Sequence, residues 1–205
     1  MFLALTCPLC GARGQALCDG CLMHLKAAVT LPSPPGIDLD RSLFSYEGRA
    51  RRLVTGLKYG NNRALIPGLA RALADLVRGE PIETFDMVTW VPTTAVRRRQ
   101  RGFDQSALLA RAVAGELALP SRALLAHRPG PAQTGRDLRS RRSGPGMSAL
   151  GRSPARVLLV DDVVTSGATA SAAARALRDA GADGVVLVTI ARTPPKRFVE
   201  DRATT

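Results

Sequence analysis

The sequence lacks any long uninterrupted apolar stretch and any nucleotide-binding P-loop. No run approaches the ~20 apolar residues that a membrane-spanning helix requires, which excludes a span of that kind. The N-terminus has no charged segment followed by a clean apolar core, so we expect a cytoplasmic protein rather than a secreted one. No G-x-x-x-x-G-K-[ST] run occurs, which excludes a P-loop nucleotide site.

Acidic residues and lysines are scarce. Asp and Glu together number 17 against 29 Lys and Arg, which gives a formal net charge of +12 and a pI of about 11.0. Lysine occurs only at Lys26, Lys58 and Lys196, so the positive charge is almost entirely arginine. This balance favours polyanionic partners such as nucleic acid. The same charge would also follow from a genome base composition that favours arginine codons, or from a site that binds phosphate groups. Nucleic-acid binding and these alternatives therefore all stay open.

The length of 205 residues and the hydrophobic content of 45% suit one domain of ordinary size with a small appendage. The most informative stretch is residues 156–169, RVLLVDDVVTSGAT. Residues 156–160 are apolar and rich in β-branched side chains, which is typical of a strand covered on both faces in a parallel sheet. Asp161 and Asp162 follow and are expected to end the strand. Adjacent carboxylates need partners, so we expect them at the carboxyl edge of the sheet, facing a ligand.

Residues 165–169, TSGAT, form a turn of small and hydroxyl-bearing residues ahead of an alanine-rich helix over 170–180. Backbone N–H groups at such a helix start bind anions. Residues 185–190 read as the returning strand of a βαβ unit, so a diol would face the acids and a phosphate the turn. A receiver domain also carries paired acids, but its phospho-accepting Asp follows well downstream, and too little sequence follows Asp162. A strand end with solvated acids is the remaining alternative.

Four cysteines make two C-x-x-C pairs, Cys7 with Cys10 and Cys18 with Cys21. Two such knuckles complete a tetrahedral sulfur site for structural zinc, with no open position for catalysis. Two disulfides and a redox-active C-x-x-C are the alternatives. His24 is near enough in sequence to compete as a ligand, but four cysteines make it a bystander.

Between the cysteines and the acid pair, the pattern predicts a series of further elements. It predicts a proline-rich linker at 31–36, a strand at 42–46, helices at 49–57 and 64–77, and a strand at 85–91. Lys58 is placed in a loop at 57–60, where it either contacts a phosphate or is solvated. The strand at 85–91 ends in Pro92, Thr93 and Thr94. An arginine-rich run, 97–101, precedes Gly102 and Asp104, which suit the turn and N-cap of a helix reaching about 118.

The stretch VLLVDDVVTSGAT resembles the 5-phosphoribosyl-1-diphosphate (PRPP) signature of type I phosphoribosyltransferases. The resemblance implies that Asp161 and Asp162 hold the ribose hydroxyls and carry out the catalytic work near the ribose. It implies that Thr165, Ser166, Gly167, Ala168 and Thr169 wrap the 5′-phosphate. The VPTT segment is similar to the pyrophosphate loop of the amidotransferase branch. This implies a pyrophosphate site, with Mg2+ bound alongside PRPP, made by Pro92, Thr93, Thr94, Arg97 and Lys58.

Residues 127–150 are polar, rich in Gly, Pro and Arg, and without clear periodicity, so we interpret them as a mobile loop. In phosphoribosyltransferases a hood closes over PRPP at this point and excludes water. The residues in this loop that would contact the ligand are Gln133, Arg136, Arg139, Arg141 and Arg142. The Arg cluster at 97–101 has three open interpretations: it neutralises pyrophosphate, grips a nucleic-acid backbone, or is simply solvated.

Taken in order along the chain, these motifs together resemble the ComF family, in particular ComFC-like proteins. The resemblance rests on the following segments: the two C-x-x-C pairs, Tyr46-Glu47-Gly48 to Lys58-Tyr59, VPTT to RRRQRGFDQ, Gln133-Thr134-Gly135 and the VDD motif. The resemblance implies an α/β type I phosphoribosyltransferase fold, a central mainly parallel sheet flanked by helices, with an N-terminal zinc ribbon. The expected organisation is a ribbon at 1–30, a linker at 31–40, the phosphoribosyltransferase domain at 41–195 and a basic tail at 196–205.

The family resemblance also implies a process. It points to natural transformation, with single-stranded DNA and other DNA-uptake proteins such as a helicase as partners. Two alternatives stay open. One is a PRPP-responsive factor that binds nucleic acid or protein without catalysis, and the other is a metabolic phosphoribosyltransferase outside transformation.

Overall fold

The computed structural model describes residues 5–60, 62–78, 85–96, 99, 102–128 and 146–195. The helices are α1 (Asp19–Leu22), α2 (Gly48–Tyr59), α3 (Ile66–Arg78), α4 (Gln105–Leu117) and α5 (Ala168–Asp179). The strands are β1 (Leu39–Ser45), β2 (Met87–Trp90), β3 (Leu125–His127), β4 (Met147–Ala149), β5 (Arg156–Val164) and β6 (Gly184–Arg192). A 3-10 turn, Arg63–Leu65, leads into α3.

Four strands form one parallel sheet in the order β1-β6-β5-β2. The two central strands, β5 and β6, run in register from Arg156 opposite Gly184. Residues 157–160 and 185–191 are buried without interruption, as expected for strands covered on both faces. The predicted fold class is confirmed: a central parallel sheet flanked by helices, with a cluster of four cysteines at the N-terminus.

Two apolar cores lie on opposite faces of the sheet. The first face is covered by α2, α3 and α4, whose Leu53, Leu73 and Leu109 are almost wholly buried against β5 and β6. The second face is covered by α5, whose alanines bring the helix close to the strands, and by the antiparallel pair β3–β4. The sheet is therefore covered by apolar packing on both faces.

The predicted linker at 31–40 differs in the structure, because its second half is docked on the main domain. Strand β1 begins at Leu39, inside that range. Arg178 on α5 donates hydrogen bonds to the Gly36 carbonyl at 2.9 Å and to the Asp38 carboxylate at 2.6 Å. Ile37 is buried, with 7% of its surface exposed. These contacts hold the proline-rich segment against α5 rather than leaving it as a free spacer.

Two further local expectations were wrong. Lys58 lies in the last turn of α2 and not in a loop, because the apolar spacing of Leu53, Val54 and Leu57 continues the helix to Tyr59. The predicted loop at 127–150 begins and ends in strands, since β3 pairs with β4 from Leu125 opposite Ala149 to His127 opposite Met147. No helix in the described part of the chain is long and apolar enough to cross a membrane.

Candidate functional site

The site lies at the carboxyl edge of the parallel sheet, where β2 and β5 deliver polar residues into one cavity. Its volume is about 780 Å3. The acid pair does not end β5, because the strand continues to Val164. Of the predicted site residues, those that line this cavity are Lys58, Pro92, Thr93, Thr94, Asp161, Asp162, Thr165 and Thr169. Residues more than 100 positions apart in the chain thus meet at one sheet edge, as the strand order requires.

Asp161 is held by two donors and disfavours ionisation. Its Oδ1 accepts a hydrogen bond from the Ser106 hydroxyl at 3.2 Å and from the Asp162 backbone N–H at 2.8 Å. Burial, and then the neighbouring charge of Asp162, raise the pKa of Asp161 to about 8. A cation or a hydroxyl donor that enters the cavity would stabilise the ionised form of this carboxyl group.

Asp162 already has a cationic partner. Its Oδ1 lies 2.8 Å from the Lys58 Nζ, and both side chains are largely buried. The end of α2 that carries Lys58 is fixed by Gln105, whose amide donates to the Lys58 carbonyl at 2.9 Å. Gln105 is 1% exposed, so this contact is shielded from water. Lys58 therefore brings a positive charge, paired with Asp162, into the cavity that Thr93 and Thr94 also line.

The turn after β5 leads directly into the N-terminus of α5. Gly167 is the N-cap of α5 and has φ of +76°, a left-handed conformation that favours glycine. A Cβ at this position would lie 2.9 Å from the Pro34 Cγ, so the docked proline segment closes over the turn. Thr165 and Ser166 are exposed, while Gly167 is buried. Ala168 directs its backbone N–H to the Ser166 hydroxyl at 3.4 Å.

The loop after β2 is held by α4 through Asp104. The Asp104 carboxylate caps α4 by accepting from the Ala107 N–H, as its N-cap position predicts. The same carboxylate accepts from the Thr93 N–H at 3.2 Å and from the Thr93 hydroxyl at 3.1 Å. One side chain therefore sets both the helix start and the loop, which fixes the position of Thr93 in the cavity.

Sequence reasoning missed two residues of the site, Ser106 and His127. The Nε2 of His127 donates to the Pro92 carbonyl at 2.8 Å, so in the neutral ring Nδ1 carries no proton. His127 lies on β3 and lines the cavity, although the sequence pattern places it at the start of a loop. The hydroxyl of Ser106 could have been suspected from its place in the first turn of a helix that follows the VPTT loop.

Several predicted ligand contacts lie outside the described residues. They are Arg97 in the pyrophosphate set and the hood residues Gln133, Arg136, Arg139, Arg141 and Arg142. The structure describes the two strands on either side of the segment that we predict to form a hood. Its β3–β4 pair brings Arg128 and Gly146 together, with the Arg128 N–H donating to the Gly146 carbonyl at 2.9 Å.

The four cysteines of the N-terminal module converge on one point. Their Sγ atoms all lie within 4.8 Å of one another, and those of Cys10 and Cys18 are 3.5 Å apart. All four are free thiols, so the disulfide alternative does not describe this arrangement. A tetrahedral zinc–sulfur site has sulfur–sulfur edges of about 3.8 Å, so the cluster fits zinc. His24 is not part of the cluster, and its Nδ1 bonds the Gly20 carbonyl at 2.6 Å.

Two thiols of the cluster, those of Cys7 and Cys21, have pKa values that are shifted in opposite directions. Burial works to raise the pKa of Cys7, but backbone hydrogen bonds, led by that of Cys18, outweigh it and lower this pKa to about 6. Burial, followed by interactions with the neighbouring thiols, raises the pKa of Cys21 to about 12. Four thiolates therefore do not form together unless a metal ion compensates their charge.

The module is attached to the sheet at the start of α2. The Ser45 N–H donates to the Lys26 carbonyl at 2.9 Å, and Lys26 forms an ion pair with Glu47 at 2.8 Å. Arg49 on α2 reaches the Cys21 sulfur at 3.8 Å. The cysteine cluster is thus attached beside β1 and α2, and no cysteine lines the cavity that holds the acid pair, which favours a structural role.

Replacing Cys10 with Ser removes one of four sulfur ligands, and we expect the purified variant to lose its bound zinc. The matched control is His24→Ala, which leaves the four thiols intact. Zinc content by elemental analysis should be close to one ion per chain for the unaltered protein and the control, and far below that for Cys10→Ser. Full zinc content in Cys10→Ser contradicts the four-thiolate site.

The raised pKa of Asp161 predicts a pH dependence of stability. The folded-state pKa of about 8 lies above the ordinary value of 3.8, so folding retains a proton that the unfolded chain loses. This contribution is complete below the unfolded pKa and is lost as pH rises through the folded one. Asp161→Asn keeps the neutral form at every pH. We expect its free energy of unfolding at pH 8 to exceed that of the original protein by about 1–3 kcal/mol. This is less than the full pKa shift would give, because Asp161 is partly exposed to the cavity and water screens its charge.

The measurement is urea unfolding in metal-free buffer at pH 5 and pH 8. The advantage of Asp161→Asn should shrink at pH 5, where the original side chain is also neutral in the folded state. Asp179→Asn, at an exposed position of α5, is the control and should follow the original protein at both pH values. The raised pKa is contradicted if the free energies of unfolding of the two proteins differ by the same amount at pH 5 and at pH 8.

No protein-family model and no curated protein matches the sequence. Among solved structures, similar ones are phosphoribosyltransferases. The glutamine phosphoribosylpyrophosphate amidotransferase from B. subtilis is 24% identical with a TM-score of 0.44, over 62% of this chain and 26% of that one. The purine phosphoribosyltransferase from Pyrococcus horikoshii is 16% identical with a TM-score of 0.41, and the match covers 62% of this chain and 83% of that one. The adenine phosphoribosyltransferase from Leishmania tarentolae is 20% identical with a TM-score of 0.41, and the match covers 68% of this chain and 63% of that one. These similarities concern the fold alone.

Proposed function

We propose that the protein binds PRPP with Mg2+ in the 780 Å3 cavity and acts as a phosphoribosyltransferase. The observation that carries the proposal is the convergence of three groups. The acid pair Asp161–Asp162, the two ends of the turn at Thr165 and Thr169, and the loop Pro92–Thr94 line the same cavity, while Ser166, Gly167 and Ala168 are not part of its lining. A sugar with phosphate groups at two ends needs such an arrangement, with hydroxyl acceptors in the middle and anion sites on either side.

Each part of the cavity would have a distinct task. Asp161 and Asp162 would accept hydrogen bonds from the ribose hydroxyls, and the start of α5 would hold the 5′-phosphate. Thr93 and Thr94 would position the pyrophosphate, with Lys58 adding positive charge beside it. Charge stabilisation and positioning of the leaving group account for the rate in such a site.

The carboxylate pair fits Mg2+, which prefers oxygen ligands and the phosphates of a substrate. Asp161 and Asp162 are adjacent acids whose mutual repulsion a cation relieves, and Lys58 neutralises only one of them. When bound with PRPP, Mg2+ supplies charge neutralisation for the departing pyrophosphate. The chain's own contribution is to hold the sugar between the acid pair and the helix start.

We further propose a ComF-type role, in which a PRPP site and a zinc ribbon serve the handling of single-stranded DNA. The support is the order of motifs in the sequence together with exposed arginines at the start of α2. Arg51 and Arg52 are exposed there, and Arg52 donates to the Leu9 carbonyl of the ribbon at 3.4 Å. A positively charged surface therefore begins where the two modules join.

A PRPP-responsive nucleic-acid-binding factor without catalysis is the second candidate, favoured by the net charge of +12. It differs in what it predicts. Binding of a single-stranded oligonucleotide should weaken steeply with salt, because phosphate contacts release counterions. Release of pyrophosphate from PRPP in the presence of a panel of nucleobases supports the enzyme, and its absence together with salt-sensitive binding supports the second candidate.

The test of the PRPP site is calorimetric titration with PRPP, with and without Mg2+. We expect binding that requires Mg2+ and weakens by at least about tenfold in Asp162→Asn, because the carboxylate's charge-assisted hydrogen bonds are lost. Asp179→Asn should bind as the original does. Zinc content of Asp162→Asn should be unchanged, which shows that the N-terminal module is intact. Equal affinity of Asp162→Asn and the original protein contradicts the assignment.

The turn provides an independent check. Gly167→Ala puts a Cβ against Pro34 at a left-handed backbone position, so we expect the turn to move and PRPP affinity to fall. Gly115→Ala is the matched control, because Gly115 lies inside α4 and a Cβ there would meet no packed neighbour within 4 Å. The control should bind PRPP normally. Undiminished binding by Gly167→Ala would place the phosphate elsewhere.

A further inference from the structure

We infer that Cys10 and Cys18 are the oxidisable pair of the cysteine cluster, and that a peroxide joins them in a disulfide and thereby releases bound zinc. The inference concerns the N-terminal module alone and does not depend on the proposed function. It starts from the unequal exposure of the four thiols. Cys7 and Cys21 are buried, with 1% and 3% of their surfaces exposed. Cys10 is exposed and Cys18 is half-buried.

Hydrogen bonds hold the two buried cysteines in place. Cys7 accepts at its carbonyl from the Gly11 N–H and donates its own N–H to the Ala12 carbonyl, both at 2.8 Å. The Arg49 Nη1 donates to the Cys21 Sγ at 3.8 Å, which occupies part of the sulfur surface with a cation. An oxidant must reach a sulfur lone pair, so thiols in such positions react slowly.

Cys10 and Cys18 have the opposite properties. Because Cys10 is exposed, its sulfur is directly accessible to a dissolved peroxide. Its Sγ lies 3.5 Å from that of Cys18, and a disulfide needs about 2.05 Å, so a small movement of two side chains closes the bond. The two residues belong to different C-x-x-C knuckles, and the expected disulfide therefore joins the knuckles to each other.

The oxidation balances with hydrogen peroxide as the oxidant. The Cys10 thiolate attacks one peroxide oxygen, the O–O bond breaks, and a sulfenic acid and a hydroxide ion form. The Cys18 thiolate then attacks the sulfenic sulfur, forms the S–S bond and displaces a second hydroxide ion. Two electrons pass from the two sulfurs to the peroxide. The cluster then offers two thiolates in place of four, too few for a structural zinc site, so the ion is released.

The junction between the module and α2 lies next to this pair. Leu9, the residue before Cys10, accepts a hydrogen bond at its carbonyl from the Arg52 side chain on α2, at 3.4 Å. When Cys10 moves toward Cys18, the neighbouring carbonyl moves with it, and we expect this contact with α2 to be lost. A thiol reductant reverses the disulfide, so the pair forms a redox switch at the attachment of the module.

The test treats the zinc-loaded protein with hydrogen peroxide, alkylates the remaining thiols and maps the bonds by mass spectrometry of tryptic peptides. The sequence favours this design, because cleavage after Arg13 and after Lys26 separates the two knuckles. A bond between the knuckles therefore joins two peptides, whereas a bond within one knuckle leaves each peptide alone. We expect joined peptides in which Cys10 is bonded to Cys18 and the other two cysteines are alkylated.

Zinc release is followed in the same sample with a chromogenic chelator. We expect about one zinc ion to be released per disulfide formed, because the four thiolates share one ion. Dithiothreitol and added zinc should restore the thiols and the zinc content. The control is the protein from which a chelator has removed zinc under reducing conditions, which keeps four free thiols. Hydrogen exchange at the start of α2 should be faster in the oxidised protein than in this control.

Each part of the inference has a result that contradicts it. A bond within either knuckle, or any bond that includes Cys7 or Cys21, overturns the assigned pair. Release of zinc without a disulfide, or retention of zinc after the disulfide has formed, overturns the link between oxidation and release. Equal exchange at the start of α2 in the oxidised protein and the control overturns the effect on the junction.

Discussion

Strand β5 carries two adjacent carboxylates at the carboxyl edge of the sheet, and the surrounding residues offset the electrostatic cost of this pair. Two neighbouring acids, one with a pKa raised to about 8, are unfavourable beside an apolar core unless their charge is shared. Lys58 takes one of them at 2.8 Å, and Ser106 donates to the other. Both partners come from helices on the first face of the sheet, so helix packing sets the electrostatics of the cavity. A Mg2+ ion bound with the proposed substrate would add to the same compensation.

The surrounding elements are fixed by a small number of shared contacts. Asp104 joins the start of α4 to Thr93, and Gly167 lies against Pro34. The N-terminal module is attached at Lys26 and Arg49, close to Tyr46, so the cysteine cluster and the cavity share the end of β1. The cysteine module therefore supports the end of β1 beside the cavity, and its four thiols form a possible zinc site.

Local motifs made much of this arrangement predictable, and long-range pairing made the rest unpredictable. The strand over 156–160, the turn at Gly167 and the Asp104 cap each follow from a few adjacent residues. The ion pair of Lys58 with Asp162 and the bond of His127 to Pro92 join distant segments, and they depend on how helices and strands pack. The docked proline segment was missed for the same reason, because its anchors, Arg178 and Gly167, lie far along the chain.

Hydrogen–deuterium exchange with and without Mg–PRPP tests the central claim most directly, because it locates the ligand on the chain. The account predicts slower exchange in β5 and the turn to Thr169, in the loop after β2, and at the end of α2 near Lys58. The exchange of the cysteine module around Cys7 and Cys10 should change little. Protection confined to the N-terminal module, or none at the end of β5, would contradict a PRPP site at this edge of the sheet.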